Sequence, residues 1–167
     1  MLFFISSVYE FHSFQLQAYM FAHLDRNAVI VTDDILTKEQ ALTRLVGRAC
    51  EVFGLYDPDE VLTALIDRES KLSTGIGLEV AVPHCRTPQV RHVVMAAMLA
   101  KHPVEYNSVD MLPVRLILLL LSPEHDITGH LASLSSISLA TSDEAIRSEL
   151  LSAADPETLF RCLERIH

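Results

Sequence analysis

Residues 73–86, STGIGLEVAVPHCR, bring together the residue types that anion chemistry uses. Ser73 and Thr74 supply two hydroxyls. Gly75 and Gly77 free the turn so that successive backbone N–H groups can point inward around an anion. A short apolar stretch follows and ends at Pro83-His84. Imidazole, with an unperturbed pKa of about 6.5, is a good nucleophile near neutrality. A nucleophilic histidine needs an open ring nitrogen and donors that steady the oxygens of an incoming phosphoryl group. Arg68 and Arg86 flank the turn and carry guanidinium forks suited to that task. Each feature alone has an ordinary alternative, since turns use glycine for steric reasons and most histidines are surface or satisfied core groups. Together they point to phosphoryl chemistry with His84 as the group that carries it.

Such a histidine needs a scaffold, and the patterning outlines one. Residues 28–31 (AVIV) read as a short strand. Thr37 with Gln40 fits a capping box, and Ala41, Leu42, Leu45, Val46 and Ala49 repeat at helical spacing until Gly54. Asp57-Pro58 opens a second helix that runs to about Arg68. A strand is expected over residues 78–82, stopped by Pro83, which leaves His84 exposed. Residues 93–99 and 114–121 are further strands; the second is almost wholly apolar, as a central strand covered on both faces should be. Three helices follow, over about 126–140, 143–153 and 156–166, with Ser142 and Asp155 as caps for the last two. The expected fold class is α/β, a mixed sheet sandwiched between helices in three αβα layers, occupying residues 25–167. Residues 1–24 are rich in aromatics and Met and read as an N-terminal extension: a helix, or a segment that docks on the body or on a second copy. Phe11, Phe14, Tyr19 and Phe21 would anchor a homodimer in the last case.

Composition narrows the field. The chain has 167 residues, half of them hydrophobic, which suits one domain with a proper core. A net charge of −9 without a basic cluster argues against nucleic acid as a partner. Three cysteines, Cys50, Cys85 and Cys162, with no CxxC, argue against a disulfide framework or zinc knuckle and fit a reducing cytoplasm. The greasy start MLFFIS lacks a basic n-region, and the apolar run 116–121 is far too short to span a bilayer, so neither export nor membrane insertion is expected.

The motif STGIGLEVAVPHCR closely resembles the active-site segment of the bacterial phosphotransferase-system enzyme IIA domains of the fructose–mannitol and nitrogen-regulatory type. The resemblance extends through DRESKLSTGIG, PVRLILLLLSPEH and GHLASLSSIS, and covers roughly residues 25–166. It implies a type-2 enzyme IIA fold and a phosphocarrier without metal or organic cofactor. A histidine-containing phosphocarrier protein would phosphorylate His84. The group would then pass to a cysteine of an enzyme IIB, or remain as a mark read by a regulated protein. By the same resemblance Arg68 steadies the phosphoryl oxygens, His130 at a helix start is the second active-site histidine, and Ser73 and Thr74 take the turn hydroxyl positions. With no IIB or IIC segment recognisable in the sequence, the nitrogen-regulatory kind is favoured.

One departure stands out: Glu79 occupies a position where the family usually has glycine. A carboxylate close to the phosphoryl group would repel it. The alternative function is therefore a non-catalytic enzyme IIA-like binding module with impaired phosphorylation. Regular strand alternation would instead turn Glu79 away from His84. Cys85 adjoins the nucleophile and is either redox-sensitive, through Arg86, or a packed thiol. Zinc shared by His84, Cys85 and His130 is disfavoured, because adjacent residues rarely ligate one metal well.

Overall fold

The computed structural model describes residues 24–166. Expectations for the N-terminal extension, including the homodimer, fall outside the described residues, apart from Leu24, which already belongs to β1 (Leu24–Thr32). The first helix, α1 (Lys38–Phe53), begins at the Thr37–Gln40 capping box and stops where Gly54 turns left-handed at φ 70°. Asp57 caps α2 (Pro58–Lys71), whose last turn reaches three residues beyond Arg68. Strands β2 (Gly75–Gly77), β3 (Val80–Ala81), β4 (His84–Arg86), β5 (Val94–Val104) and β6 (Val114–Ser122) follow, then α3 (Ile127–Ser142), α4 (Glu144–Leu151) and α5 (Pro156–Glu164). Asp143, not Ser142, caps α4, accepting the N–H groups of Ala145 and Ile146; a carboxylate oxygen there also suits the positive end of the helix dipole.

The strands form one mixed sheet in the order β1-β5-β6-β3-β2, with β4 carrying on beyond β3 along the same side of β6. Antiparallel β5 lies on one side of β6, and parallel β3 and β4 on the other. Period-two alternation along β6 divides its side chains between two cores. Ile117, Leu119 and Leu121 pack with Leu45 of α1 and Leu65 of α2. Leu116, Leu118 and Leu120 pack with Ile137, Leu150 and Leu163 of α3, α4 and α5. This is the three-layer arrangement that the apolar run of β6 demands. Truncating any of these leucines to alanine would cost about 2–5 kcal/mol. None of the described helices is long and apolar enough to cross a membrane.

The local structure departs from expectation between residues 78 and 86. A regular strand over 78–82 is replaced by a hairpin in which Gly77 pairs with Val80 across a two-residue turn. Both turn residues, Leu78 (φ 56°) and Glu79 (φ 64°), are left-handed, the conformation that tight hairpins ordinarily assign to Asn-Gly. The Glu79 carbonyl accepts the N–H groups of Arg115 and Leu116, which pins the turn to the start of β6. Glu79→Gly is expected to stabilise the fold by about 1 kcal/mol, because glycine adopts this φ without the Cβ penalty. Thermal unfolding should show a rise of roughly 2–4 °C, and an unchanged or lower midpoint would refute the strain argument. The second departure is at Pro83. The strand resumes after it, so His84 pairs with Leu120 of β6 and is half-buried instead of fully exposed.

Candidate active site

His84 lies in β4 beside the end of β6, the point from which the chain turns into α3. Its ring is held from both sides. Arg68 Nε donates to His84 Nε2 at 3.1 Å, and His84 Nδ1 lies 2.8 Å from the Val82 carbonyl. A guanidinium N–H can only donate, so Nε2 carries the lone pair and Nδ1 the proton, which it donates to Val82. The tautomer is thus fixed, with the lone-pair nitrogen turned toward a cation. Arg68 Nη1 donates in turn to the Leu72 carbonyl at 2.9 Å, bracing the guanidinium against the end of its own helix.

His130 stands in the first turn of α3, with its ring centroid 5.3 Å from that of His84 in an edge arrangement. Its Nδ1 is 2.6 Å from the hydroxyl of Ser122, the fully buried last residue of β6. The α3 start is tight: Asp126 caps the Gly129 N–H at 2.8 Å, and a Cβ at Gly129 would collide with the Asp126 carboxylate. Any other residue at 129 would disturb the turn that aims His130.

Arg68, Lys71, His84, Arg86, Glu124 and His130 line one open cleft of about 580 Å³, floored by Ala64 and Cys85. Arg86 Nη1 is tied to the Glu124 carbonyl at 3.2 Å. On a chain of net charge −9, three cations converge here around one imidazole pair. Such a site concentrates a phosphoryl dianion against the repulsion of the acidic surface.

Burial is the main cause that lowers the His84 pKa, and the positive charge of Arg68 adds to it; the Val82 hydrogen bond and Glu69 act in the opposite sense. His130 is lowered by burial first and then by His84, Arg86 and Arg68, against Asp126. Both rings are therefore neutral at neutral pH. An NMR titration is expected to place both midpoints below the free value of about 6.5. The unfolded chain binds these protons more readily, so the stability the neutral rings contribute is complete above about pH 6.5 and is lost as pH falls through the folded values. A midpoint above that of free histidine for either ring would contradict the geometry.

The turn residues take a different place from the one their types suggest. Ser73, Thr74, Gly75 and Gly77 do not line the cleft. The turn does hold an anion, but it is the carboxylate of Glu69. Thr74 donates its N–H (2.9 Å) and its hydroxyl (2.5 Å) to the two oxygens of Glu69, whose side chain is 8% exposed. Ser73 donates to the Tyr106 carbonyl. Gly75 is needed for close approach, since a Cβ there would lie 2.4 Å from Ser108 Oγ, and Gly77 for its φ of 90°. Glu79 also lies outside the cleft, beside Arg115, Glu144 and Arg147 at the far end of β6. Cys85 packs into the α1–α2 core, and burial, with Glu60 adding, pushes its thiol up to about 12. It is therefore the packed thiol of the two sequence alternatives.

Lys71 and Ser122 were not singled out from the sequence. Lys71 sits one helical turn after Arg68, a spacing that puts both on one face of α2. Ser122 carries no local signal, because its partner is a histidine on the following helix.

The description "Phosphoenolpyruvate-dependent sugar phosphotransferase system, EIIA 2" belongs to a family model that matches residues 22–166. A fructose-specific EIIA component of the phosphotransferase system from Haloferax volcanii is 30% identical over 130 residues, covering 78% of this chain and 84% of that protein. The crystal structure of the nitrogen regulatory protein IIA-Ntr from Neisseria meningitidis superposes with a TM-score of 0.77 at 28% identity, over 84% of this chain and 95% of that one. The fold is shared as well by the mannitol enzyme IIA of Escherichia coli, solved in complex with phosphorylated enzyme IIB, with a TM-score of 0.68 at 20% identity over 84% and 98% of the two chains. With the family model spanning every described element, the chain belongs to the EIIA 2 family of the phosphoenolpyruvate-dependent sugar phosphotransferase system.

Proposed function

We propose that this chain is a phosphocarrier whose acceptor atom is His84 Nε2. The observation that carries the reading is the paired contact on that ring: Arg68 on Nε2 and the Val82 carbonyl on Nδ1. In the transfer step the Nε2 lone pair attacks phosphorus. The bond from phosphorus to the donor's histidine nitrogen breaks, and the electron pair stays on the donor ring. The positive charge that develops on the His84 ring is steadied by its Nδ1–H bond to Val82. Arg68 releases Nε2 and turns its donors to the phosphoryl oxygens, with Lys71, Arg86 and His130 placed around the same cleft. Positioning and charge stabilisation suffice for this chemistry.

The donor in this reading is a histidine-containing phosphocarrier protein. The acceptor is an enzyme IIB cysteine or, as the nitrogen-regulatory reading has it, a protein regulated by the mark. The likeness to IIA-Ntr fits the regulatory branch, and the likeness to the fructose-specific EIIA component fits the sugar branch as well. Exposed Leu72 and Leu131 follow the cleft residues Lys71 and His130 in sequence and supply apolar surface for docking beside the cations. The alternative of a non-catalytic module rested on Glu79 reaching the phosphoryl group, and its side chain lies at the other end of β6.

The test is incubation of the purified chain with phosphoenolpyruvate, enzyme I and the histidine carrier. Intact mass and ³¹P NMR would read the product. One acid-labile phosphoryl group on a histidine Nε2 is expected. A chain that takes no label from carriers of its own organism would sink the phosphocarrier reading.

A further inference from the structure

We propose that Glu69 is a positioning residue for phosphoryl acceptance, one buried carboxylate that fixes both the His84 ring and the Arg68 guanidinium. This rests on the reading of His84 as the acceptor and deepens it. Two arms leave the carboxylate: the first passes from residue to residue by hydrogen bonds, and the second follows the chain from Thr74 back to Leu72 before hydrogen bonds take over. In the first, Glu69 accepts the N–H and hydroxyl of Thr74; the Thr74 carbonyl accepts the Val82 N–H at 2.9 Å; the Val82 carbonyl accepts the His84 Nδ1–H at 2.8 Å. This arm sets which ring nitrogen carries the proton. In the second, the same anchored turn places the Leu72 carbonyl, which accepts Arg68 Nη1 at 2.9 Å while Arg68 Nε faces His84 Nε2.

The anchor itself is rigid. Lys38, the first residue of α1, donates to Glu69 at 2.5 Å and to the Tyr106 carbonyl at 3.0 Å. Thr74 and Tyr106 are buried, and a side chain that has three partners and little solvent has few alternative rotamers. Glu69 does not line the cleft, so it acts through its neighbours and not on the phosphoryl group. Nucleophile and cation must be in register before the donor arrives, and a displacement on the scale of 1 Å is enough to slow transfer by about a hundredfold.

The test compares wild type, Glu69→Gln, Thr74→Val and Thr74→Ser, with folding checked by circular dichroism. Two readouts are taken: ¹⁵N shifts of the His84 ring, which report its tautomer without any phosphoryl donor, and the rate of phosphorylation by the phosphorylated histidine carrier. Glu69→Gln and Thr74→Val are expected to mix the two His84 tautomers and to lower kcat by roughly tenfold to a hundredfold, with KM for the carrier kept within about twofold. Thr74→Ser, which keeps the hydroxyl, should behave as wild type. If Glu69→Gln does not fold, the threonine pair decides. Variants that lose thermal stability yet keep the wild-type tautomer and kcat would show Glu69 to be purely structural and overturn the proposal. Failure of the phosphocarrier reading shows instead in the wild type, as absence of label with the tautomer readout still intact.

Discussion

His84→Ala is expected to take no phosphoryl group at all, while Arg68→Met is expected to accept one about 10²–10³-fold more slowly. The difference follows from what each side chain supplies. In the proposed transfer His84 provides the lone pair that forms the new bond, and it is the ring that Arg68 holds at Nε2; His130 stands beside it with its Nδ1 against the Ser122 hydroxyl and its ring edge-on at 5.3 Å. Arg68 provides charge and aim. Without it the lone pair remains, and Lys71 and Arg86 still line the cleft, so a reduced rate survives. Methionine keeps most of the arginine's apolar stem, which limits the loss of packing. Neither change should unfold the protein. His84 is only partly buried and the substitution removes its hydrogen bonds with the Val82 carbonyl and Arg68, so the cost is on the order of 1–2 kcal/mol. The measurement is the time course of labelling by the phosphorylated histidine carrier, read by intact mass, with thermal unfolding as the control. Label on folded His84→Ala would move the acceptor elsewhere, and His130 would be the first place to look. An Arg68→Met rate equal to wild type would reduce the 3.1 Å contact to a feature of the resting state.

The parts of this site that were legible in the sequence are those whose causes are local. Thr37 with Gln40, Asp57 before Pro58, and Asp155 before Pro156 each cap a helix through bonds within three residues, so the helix starts could be read directly. The unbroken apolar run of β6 has one physical solution, a strand covered on both faces. The turn between β2 and β3 was not legible because Leu78-Glu79 lacks the glycine or asparagine that signals left-handed backbone; bonds from β6 to the Glu79 carbonyl override local preference there. The continuation of strand after Pro83 was hidden for the same reason, since the register is imposed by β6. In the Ser73–Thr74 turn the residue types pointed to a phosphoryl anion, whereas the partner Thr74 meets in the structure is the Glu69 carboxylate, which lies outside the motif. Glu69 is close in sequence, yet its carboxylate is held by Lys38, 31 residues earlier, which also donates to the Tyr106 carbonyl more than 30 residues beyond the turn. Side chains that converge through tertiary structure leave no periodic trace.

That convergence sets a stability effect on the scale of truncating a core leucine. Lys38→Met should destabilise the fold by about 3 kcal/mol, because removing one member of a buried ion pair strands the other. The Lys38 and Glu69 side chains are 24% and 8% exposed, so water reaches the lysine in part and the carboxylate hardly at all. The substitution also removes a cation 4.2 Å from the Tyr106 ring centre and leaves the Tyr106 carbonyl without its lysine donor. The pH dependence identifies the cause. Burial alone would raise the Glu69 pKa; the hydrogen bond from Lys38, those from Thr74 and the lysine's charge outweigh it and hold the carboxyl below its ordinary value of 4.5. In the wild type this contributes stability that is present above about pH 4.5 and is lost as pH falls through the lower folded value. In Lys38→Met the balance shifts toward burial, the folded pKa rises, and the charged carboxylate becomes a cost at neutral pH that protonation relieves. The gap between the two proteins should therefore be widest near pH 7, where the midpoint drops by roughly 6–12 °C, and should narrow below about pH 4. Thermal unfolding across that range decides the matter. A gap independent of pH would mean that Lys38 stabilises α1 by packing alone and that the Glu69 carboxylate is held well enough by Thr74.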